Sequence, residues 1–250
     1  MLAAGEGRRV GHDTNKVLLP LAGRRVFTWA IRWAGELAQV THRVLVIREL
    51  DRDLVAATVR REVDRPDDLI MVVGGDTRHG SEWQALQALA PAIEAGDIDV
   101  VVIHDAARPL AGTGLFAEVI STSAEHGSAI PVRDQLHLAP LDPAAAALDH
   151  RVVAVQTPQA FAAAPLLAAY RSADAEGFVG TDTAACVERY TDLPVRCVAG
   201  DARNIKITFP EDLFLAERLL AKADWDMTDG HGRQRRRPHL RDFLRFGEHR

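Results

Sequence analysis

The sequence predicts an α/β chain on a mainly parallel sheet with helices on both faces. Three observations predict it. First, short and fully apolar runs, Val44–Ile47, Leu69–Val73 and Val100–Ile103, alternate with stretches in which apolar residues recur every third or fourth position. Second, a strand that is apolar at every position is buried on both faces, as in a parallel sheet covered by helices. Third, three polar or glycine-rich segments, 3–16, 74–81 and 104–109, fall where strands end. Such sheets bind ligands beyond the carboxyl ends of their strands, so these segments share one rim.

Size and composition agree with one large domain. The chain has 250 residues, 47% of them hydrophobic, enough for a full core. A net charge of -5 argues against a general nucleic-acid binder. No apolar run reaches the ~18 residues of a membrane span. The two cysteines, Cys186 and Cys197, lack metal-site spacing. With no signal-peptide pattern ahead of the first loop, they lead to the expectation of a cytoplasmic chain. From Asp226 onward the chain is polar and carries Arg235-Arg236-Arg237. Residues 225–250 are expected to form a basic, disordered tail, and 1–224 the domain.

The elements follow in order. Ala3-Ala4-Gly5-Glu6-Gly7-Arg8-Arg9 comes first, with Lys16 seven residues on. Gly5 and Gly7 let the backbone approach a ligand, and successive loop N–H groups form an anion-binding concavity. Arg8, Arg9 and Lys16 add three cations, a set that suits a polyphosphate. The spacing matches neither a Walker loop nor a dinucleotide fingerprint, whose third small residue is replaced by Val10. Only Met1 and Leu2 precede Ala3, whereas a loop of this kind normally follows a strand. The expectation is that the first strand is missing here and that the native chain carries a Val/Ile-rich segment upstream.

Phe27, Ala30, Ile31 and Ala34 predict a helix, and Val55, Val59 and Val63 predict another, capped by Asp51 or Asp53. Between and after them come the strands at 44–47 and 69–73. The latter ends in Gly74-Gly75-Asp76-Thr77-Arg78-His79-Gly80-Ser81, where Ser81 and Gln84 read as a capping box for a helix with Leu86, Leu89 and Ile93. Asp76 and Arg78 could also simply form a turn with a solvated ion pair. The strand at 100–103 runs into His104-Asp105-Ala106-Ala107-Arg108-Pro109. A short strand at 129–132 precedes an extended arm at about 133–156. Thr157-Pro158-Gln159 follows, then Thr181-Asp182 ahead of a helix, where the pair also reads as an N-cap. A strand at 195–198 and the loop 200–206 follow. Thr208 and Glu211 form a second capping box, with Pro210 in the first turn of the last helix.

Together these segments resemble the 2-C-methyl-D-erythritol 4-phosphate cytidylyltransferases. The matching pieces, in family order over about residues 3–220, begin with Ala-Ala-Gly-x-Gly-Arg-Arg and its lysine, Gly-Gly-Asp-x-Arg-x-x-Ser and His-Asp-Ala-Ala-Arg-Pro. Pro-Val-x-Asp, Thr-Pro-Gln-x-Phe, Thr-Asp and Asn-Ile-Lys-Ile-Thr-x-Pro-Glu-Asp-Leu follow. The resemblance implies a Rossmann-like three-layer nucleotidyltransferase sheet with a protruding β-arm that makes a homodimer. It implies attack of a polyol phosphate on CTP with loss of pyrophosphate, assisted by Mg²⁺ or another divalent cation. By position it makes Arg9, Lys16 and Lys206 catalytic. It assigns Ala3, Ala4, Gly5, Glu6, Gly7, Arg8, Gly74, Asp76, Ser81 and Ala106 to the nucleotide. Asp105, Arg108, Arg151, Thr157 and Thr181 fall to the acceptor, with Asp105 also near the metal.

Three positions depart from the family pattern. Asp134-Gln135-Leu136-His137 stands where Asp-Thr-x-Lys is usual. Asp149 stands where the family has an arm arginine that reaches the partner subunit, and Arg151 lies two residues later. Asn15 replaces the proline before the lysine. The altered acceptor half keeps two further readings open, a cytidylyltransferase for another polyol phosphate such as ribitol 5-phosphate and a weakened nucleotide-binding paralogue. Retention of Arg9, Lys16, Asp105 and Lys206 together speaks against the second.

Overall fold

The computed structural model describes residues 1–5, 15–135 and 152–228, the side chains of 223–228 excepted. After a short hairpin, β1 (Pro20–Leu21) and β2 (Arg24–Arg25), come α1 (Val26–Gly35), β3 (Arg43–Ile47), α2 (Arg52–Glu62) and β4 (Leu69–Val73). Next are α3 (Arg78–Ala95), β5 (Val100–Ile103), α4 (Gly112–His126), β6 (Ser128–Asp134) and β7 (Val153–Val155). The described chain ends with β8 (Gln159–Ala162), α5 (Ala163–Glu176), α6 (Thr183–Tyr190), β9 (Cys197–Ala199) and α7 (Pro210–Thr228).

The sheet is mainly parallel, as expected, with β7 and β8 running antiparallel to the rest. β3 and β4 pair in parallel, as do β6 and β9. β8 inserts antiparallel between β5 and β6, and β7 pairs antiparallel with the far end of β6. The three layers follow from alternation along the strands. Val101 and Ile103 face α3 and α5 through Leu86, Ile93, Leu166 and Tyr170. Val102 turns the other way, toward Ala34 of α1 and Phe116 of α4. Leu45 and Ile47 also face that side, packing on Phe27 and Ile31 of α1 and Val55 and Val59 of α2.

Between β3 and β5, where the first strand is expected to be missing, the described residues supply only a one-residue bridge. Leu2 bridges in parallel to Val46 and to Asp105. Its N–H donates to the His104 carbonyl at 2.8 Å, and its own carbonyl accepts from the Ala106 N–H at 3.0 Å. The Ala3 N–H reaches the Val46 carbonyl at 2.8 Å. From this bridge the chain runs on to Ala3, Ala4 and Gly5, which lie at the rim. Beside it the strands part around an apolar slot of about 390 Å³, bordered by Leu2, Val44, Ala85, Leu86, Val100 and Val101.

Three caps differ from the sequence reading. Thr77, not Ser81, caps α3, its hydroxyl accepting from the Gly80 N–H at 2.9 Å. Ser81 sits one turn inside the helix, its hydroxyl 3.3 Å from the Gly75 carbonyl. Asp51 occupies the N-cap position of α2 without capping it, because its carboxylate is taken by Arg48 and Asn15. At α7 the acceptor is Asp212 rather than Glu211, receiving the N–H groups of Thr208 and Phe209 at 2.7 and 2.8 Å. Asp182 does cap α6, accepting from the Ala185 N–H at 2.8 Å.

α4, α5 and β8 have no counterpart in the sequence reading. Of the segment expected to form an arm only the two ends are described, where Val132, Arg133 and Asp134 face Val155, Ala154 and Val153. Asp149 and Arg151 lie outside the described residues, as does the tail from residue 229. α7 itself continues past the expected domain limit at residue 224.

Candidate active site

One cleft of about 490 Å³ opens at the carboxyl ends of the strands. Ala3, Ala4, Gly5 and Lys16 line it from the N-terminal segment, Asp76, Arg78 and Ser81 from the start of α3, Asp105 from the end of β5, and Lys206 from the loop before α7. The strand ends and helix starts therefore converge as the rim argument requires.

Each wall has an identifiable support. Asn15, buried, donates from its amide to the Ala3 carbonyl at 2.9 Å and to Asp51 Oδ2 at 3.1 Å. It thus ties the exit of the glycine loop to its entry just before Lys16. Gly74 is required by close approach, since a Cβ there would lie 2.7 Å from both Ala4 Cβ and Ser81 Oγ. Asn204, fully buried, donates to the Thr157 carbonyl at 2.9 Å. Gln156 donates to the carbonyls of Asp201 and Asn204 at 2.9 and 3.3 Å. These bonds fix the loop that carries Lys206.

Asp105 is the electrostatic centre. Its Oδ2 accepts from Lys206 Nζ at 2.7 Å, and its Oδ1 is bonded by Arg78 Nη1. Burial alone would raise this carboxyl, but the Arg78 guanidinium and the Lys206 ammonium outweigh it and hold it far below the usual carboxylate range. Behind it, the Asp105 N–H donates to Thr157 Oγ1 at 3.0 Å, and the Thr157 hydroxyl meets His104 Nδ1 at 3.2 Å. His104 Nε2 lies 3.1 Å from the Arg108 carbonyl. Nε2 therefore carries a proton for that carbonyl, and in the neutral ring that burial favours, Nδ1 accepts from the threonine hydroxyl. Burial pushes the His104 pKa down to about 3, against the opposing pull of Asp105.

The sequence-predicted residues divide into groups. Ala3, Ala4, Gly5, Lys16, Asp76, Ser81, Asp105 and Lys206 line the cleft together. Gly74 shapes it through the contacts above. Ala106 is fully buried beside it, its N–H spent on Leu2. Arg108 spends its Nη1 on the Asn204 carbonyl at 2.7 Å, and its Nε is buried without a hydrogen bond. Thr157 is buried with its hydroxyl engaged behind Asp105, and Thr181 is exposed just ahead of the α6 cap. Glu6, Gly7, Arg8, Arg9 and Arg151 lie outside the described residues. Arg78 pairs with Asp105 and Glu82, which corrects its reading as one half of a solvated pair with Asp76. Glu82 and Asn204 escaped the sequence reading. Only the i,i+4 spacing of Arg78 and Glu82 hinted at the first.

Comparison with known proteins follows the same lines. The family model for 2-C-methyl-D-erythritol 4-phosphate cytidylyltransferase matches residues 1–222. A protein of that name from Symbiobacterium thermophilum is 38% identical over 223 residues, covering 87% of this chain and 90% of the relative. One from Geobacillus kaustophilus is 35% identical over 88% of this chain and 95% of its own length. Among solved structures, a 4-diphosphocytidyl-2C-methyl-D-erythritol synthase from Anaerococcus prevotii superposes with a TM-score of 0.72 at 27% identity, covering 88% of this chain and 93% of that one. The Thermus thermophilus 2-C-methyl-D-erythritol 4-phosphate cytidylyltransferase superposes with a TM-score of 0.64 at 28% identity, covering 88% and 96%. With the same motifs meeting around one cleft, the chain belongs to the 2-C-methyl-D-erythritol 4-phosphate cytidylyltransferase family, CTP-dependent nucleotidyltransferases.

Proposed function

We propose that this chain transfers CMP from CTP to 2-C-methyl-D-erythritol 4-phosphate. An oxygen of the acceptor's phosphate forms a bond to the α-phosphorus of CTP. The bond from that phosphorus to the β-bridging oxygen breaks, and the electron pair leaves on pyrophosphate. The reaction needs positioning and charge stabilisation more than a protein nucleophile. The observation that carries the reading is Asp105 held between Arg78 and Lys206, across one cleft from Lys16 and the glycine loop.

The roles follow from charge and position. The N–H groups of Ala4 and Gly5 and of the loop beyond, with Arg8, cradle the triphosphate, with Ala3 lining the cleft beside them. Lys16 and Arg9 stabilise the charge that grows at the α-phosphate. Gly74, Asp76 and Ser81 face the nucleoside, with Ala106 beside them. Lys206 holds the acceptor's phosphate, while Asp105 orients Lys206 and faces the acceptor. Arg108 and Thr157 act on the acceptor side by holding the Lys206 loop and Asp105, and Thr181 and Arg151 reach the acceptor.

Among the described residues no group of three His, Cys, Asp or Glu could hold a metal. Asp105 is one carboxylate with both oxygens already engaged by cations. This donor set fits a hard cation that arrives on the triphosphate and takes at most one protein carboxylate, as Mg²⁺ commonly does. Asp105 would be its one protein ligand, and the chemistry such a cation would supply is neutralisation of phosphate charge. The assembly proposed is a homodimer through the arm, in keeping with the half-exposed Val152 and Val155 at its base. No described helix is long and apolar enough to cross a membrane. Cytoplasmic location remains part of the proposal, in keeping with two free cysteines.

The test is pyrophosphate release from CTP and Mg²⁺ against a panel of polyol phosphates. Methylerythritol phosphate should be the best substrate, and Lys16→Ala should lower kcat by about 10²–10³, the scale for losing one preorganised donor. Preference for ribitol 5-phosphate would assign the departures at Gln135 and Asp149 to a changed acceptor. Turnover of Lys16→Ala at the wild-type rate would remove that lysine from the mechanism.

A further inference from the structure

Behind the cleft lies a charged group that the proposed chemistry does not use. The Glu82 side chain, on the first turns of α3, is wholly shielded from solvent. A carboxylate so placed needs donors for both oxygens. Thr183 Oγ1 donates to Oε1 at 3.0 Å, and the Tyr170 hydroxyl donates to Oε2. The third partner is Arg78, whose Nε lies 2.9 Å from Oε1 as a close charge contact rather than an aligned hydrogen bond. Thr183 and Tyr170 are themselves fully buried. Glu82 is thus pinned by α5 and by the first turn of α6, and it grips the inner end of a guanidinium whose outer end holds Asp105.

We propose that Glu82, fixed by Tyr170 and Thr183, is a positioning residue that aims Arg78 and so sets the orientation of Asp105 toward the acceptor. The inference rests on the reading that Asp105 and Lys206 face the acceptor. Arginine is long, and an ion pair at one end alone leaves its side chain several rotamers. With the Glu82 charge close to Nε as well, the planar fork is restrained in the direction it gives Nη1. Asp105 is then clamped from two sides, by Arg78 on Oδ1 and Lys206 on Oδ2. The same carboxylate reaches the start of α6, next to Thr181. One buried acid thereby sets the spacing between two acceptor-side segments that are remote in sequence.

The test uses the full chain and two substrates varied separately. Thr183→Val is isosteric and removes one bond to Glu82. Glu82→Gln keeps the volume and removes the charge partner of Arg78. Both should raise KM for the polyol phosphate, about tenfold for Glu82→Gln, the scale for losing a group that orients a functional side chain. KM for CTP should stay within about twofold, because the nucleotide wall stands on other supports. Thr183→Ser, which keeps the hydroxyl, should restore the acceptor KM. A merely structural role would lower the active fraction and leave both KM values in place. Unchanged acceptor KM in folded Glu82→Gln and Thr183→Val would overturn the proposal, as would equal rises for the two substrates. If Glu82→Gln fails to fold, the Thr183→Val and Thr183→Ser pair decides by the same readout. A wild type without cytidylyltransferase activity would defeat the reading of the site itself, which separates the two failures.

Discussion

At the scale of single residues, histidine 104 shows how burial selects a protonation state. Its ring is shielded completely, lies against Phe116 with centroids 4.9 Å apart, and is bonded at both nitrogens. The unfolded chain takes up a proton on this side chain below about pH 6.5, while the folded chain refuses it until about pH 3. Between those values the unfolded state binds more protons, so stability falls as pH falls. Above about pH 6.5 the group contributes no pH dependence. His104→Gln keeps a donor and an acceptor but cannot titrate. Urea unfolding of both proteins across this window should show the wild type losing up to about 1.4 kcal/mol per pH unit relative to the variant. Parallel curves would mean that His104 titrates normally in the folded chain. Asp105, three bonds of backbone away, is the opposite case. There two cations overcome the desolvation that governs histidine.

At the scale of elements, the supports of the glycine loop matter more than local propensity. Asn15 stands where the resemblance leads to the expectation of a proline. Proline would restrict φ, whereas asparagine holds the same place with buried amide bonds to Ala3 and Asp51. Asn15→Ala leaves the Ala3 carbonyl buried without its partner, a loss of roughly 1–3 kcal/mol. The unfolding midpoint should fall accordingly, and KM for CTP should rise because the entry and exit of the loop are no longer tied. An unchanged midpoint would show that the amide bonds carry no net weight. The caps teach a related lesson. Ser81 satisfies the pattern of a cap by sequence, yet Thr77 is extended, at φ -121° and ψ 166°, and starts α3 one turn earlier. That earlier start makes Arg78 the first helical residue and brings Glu82 beneath it.

At the scale of the whole molecule, the sheet is joined across its middle by very little. Among the described residues Leu2 alone bridges from β3, at Val46, to Asp105 just beyond β5, and beside it lies the apolar slot of about 390 Å³. Side chains around such a space lack partner atoms on one side and forfeit dispersion contacts. Ala85 borders the slot from α3, and leucine ranks just below alanine as a helix former. Ala85→Leu should fill part of it and stabilise the chain by about 0.5–2 kcal/mol, the usual gain from cavity filling. A scanning measurement should then show a melting temperature a few degrees higher. A lower one would mean that the strands close over the slot in solution.

Much of the fold was legible because period and burial are local properties. The apolar runs at 44–47, 69–73 and 100–103 became β3, β4 and β5. α4 and α5 were not legible. α5 opens Ala-Ala-Pro-Leu-Leu-Ala-Ala, and alanine serves a buried or an exposed face alike, so the helical period has little contrast. α4 starts Gly-Thr-Gly and carries hydroxyl residues through its middle. β8 has only four residues, Gln-Ala-Phe-Ala, and its antiparallel place between β5 and β6 cannot be read from any local pattern. The site divides in the same way. Sequence by itself determined the residue types at the rim, since glycines, lysines and Asp105 occur as contiguous motifs at strand ends. Only the tertiary structure decided who pairs with whom. Lys206 and Asp105 are 101 positions apart, as are Thr183 and Glu82, and Tyr170 and Glu82 are 88 apart. Charge pairing acts through space over a few ångströms, and no spacing along the chain encodes a distance that folding alone creates.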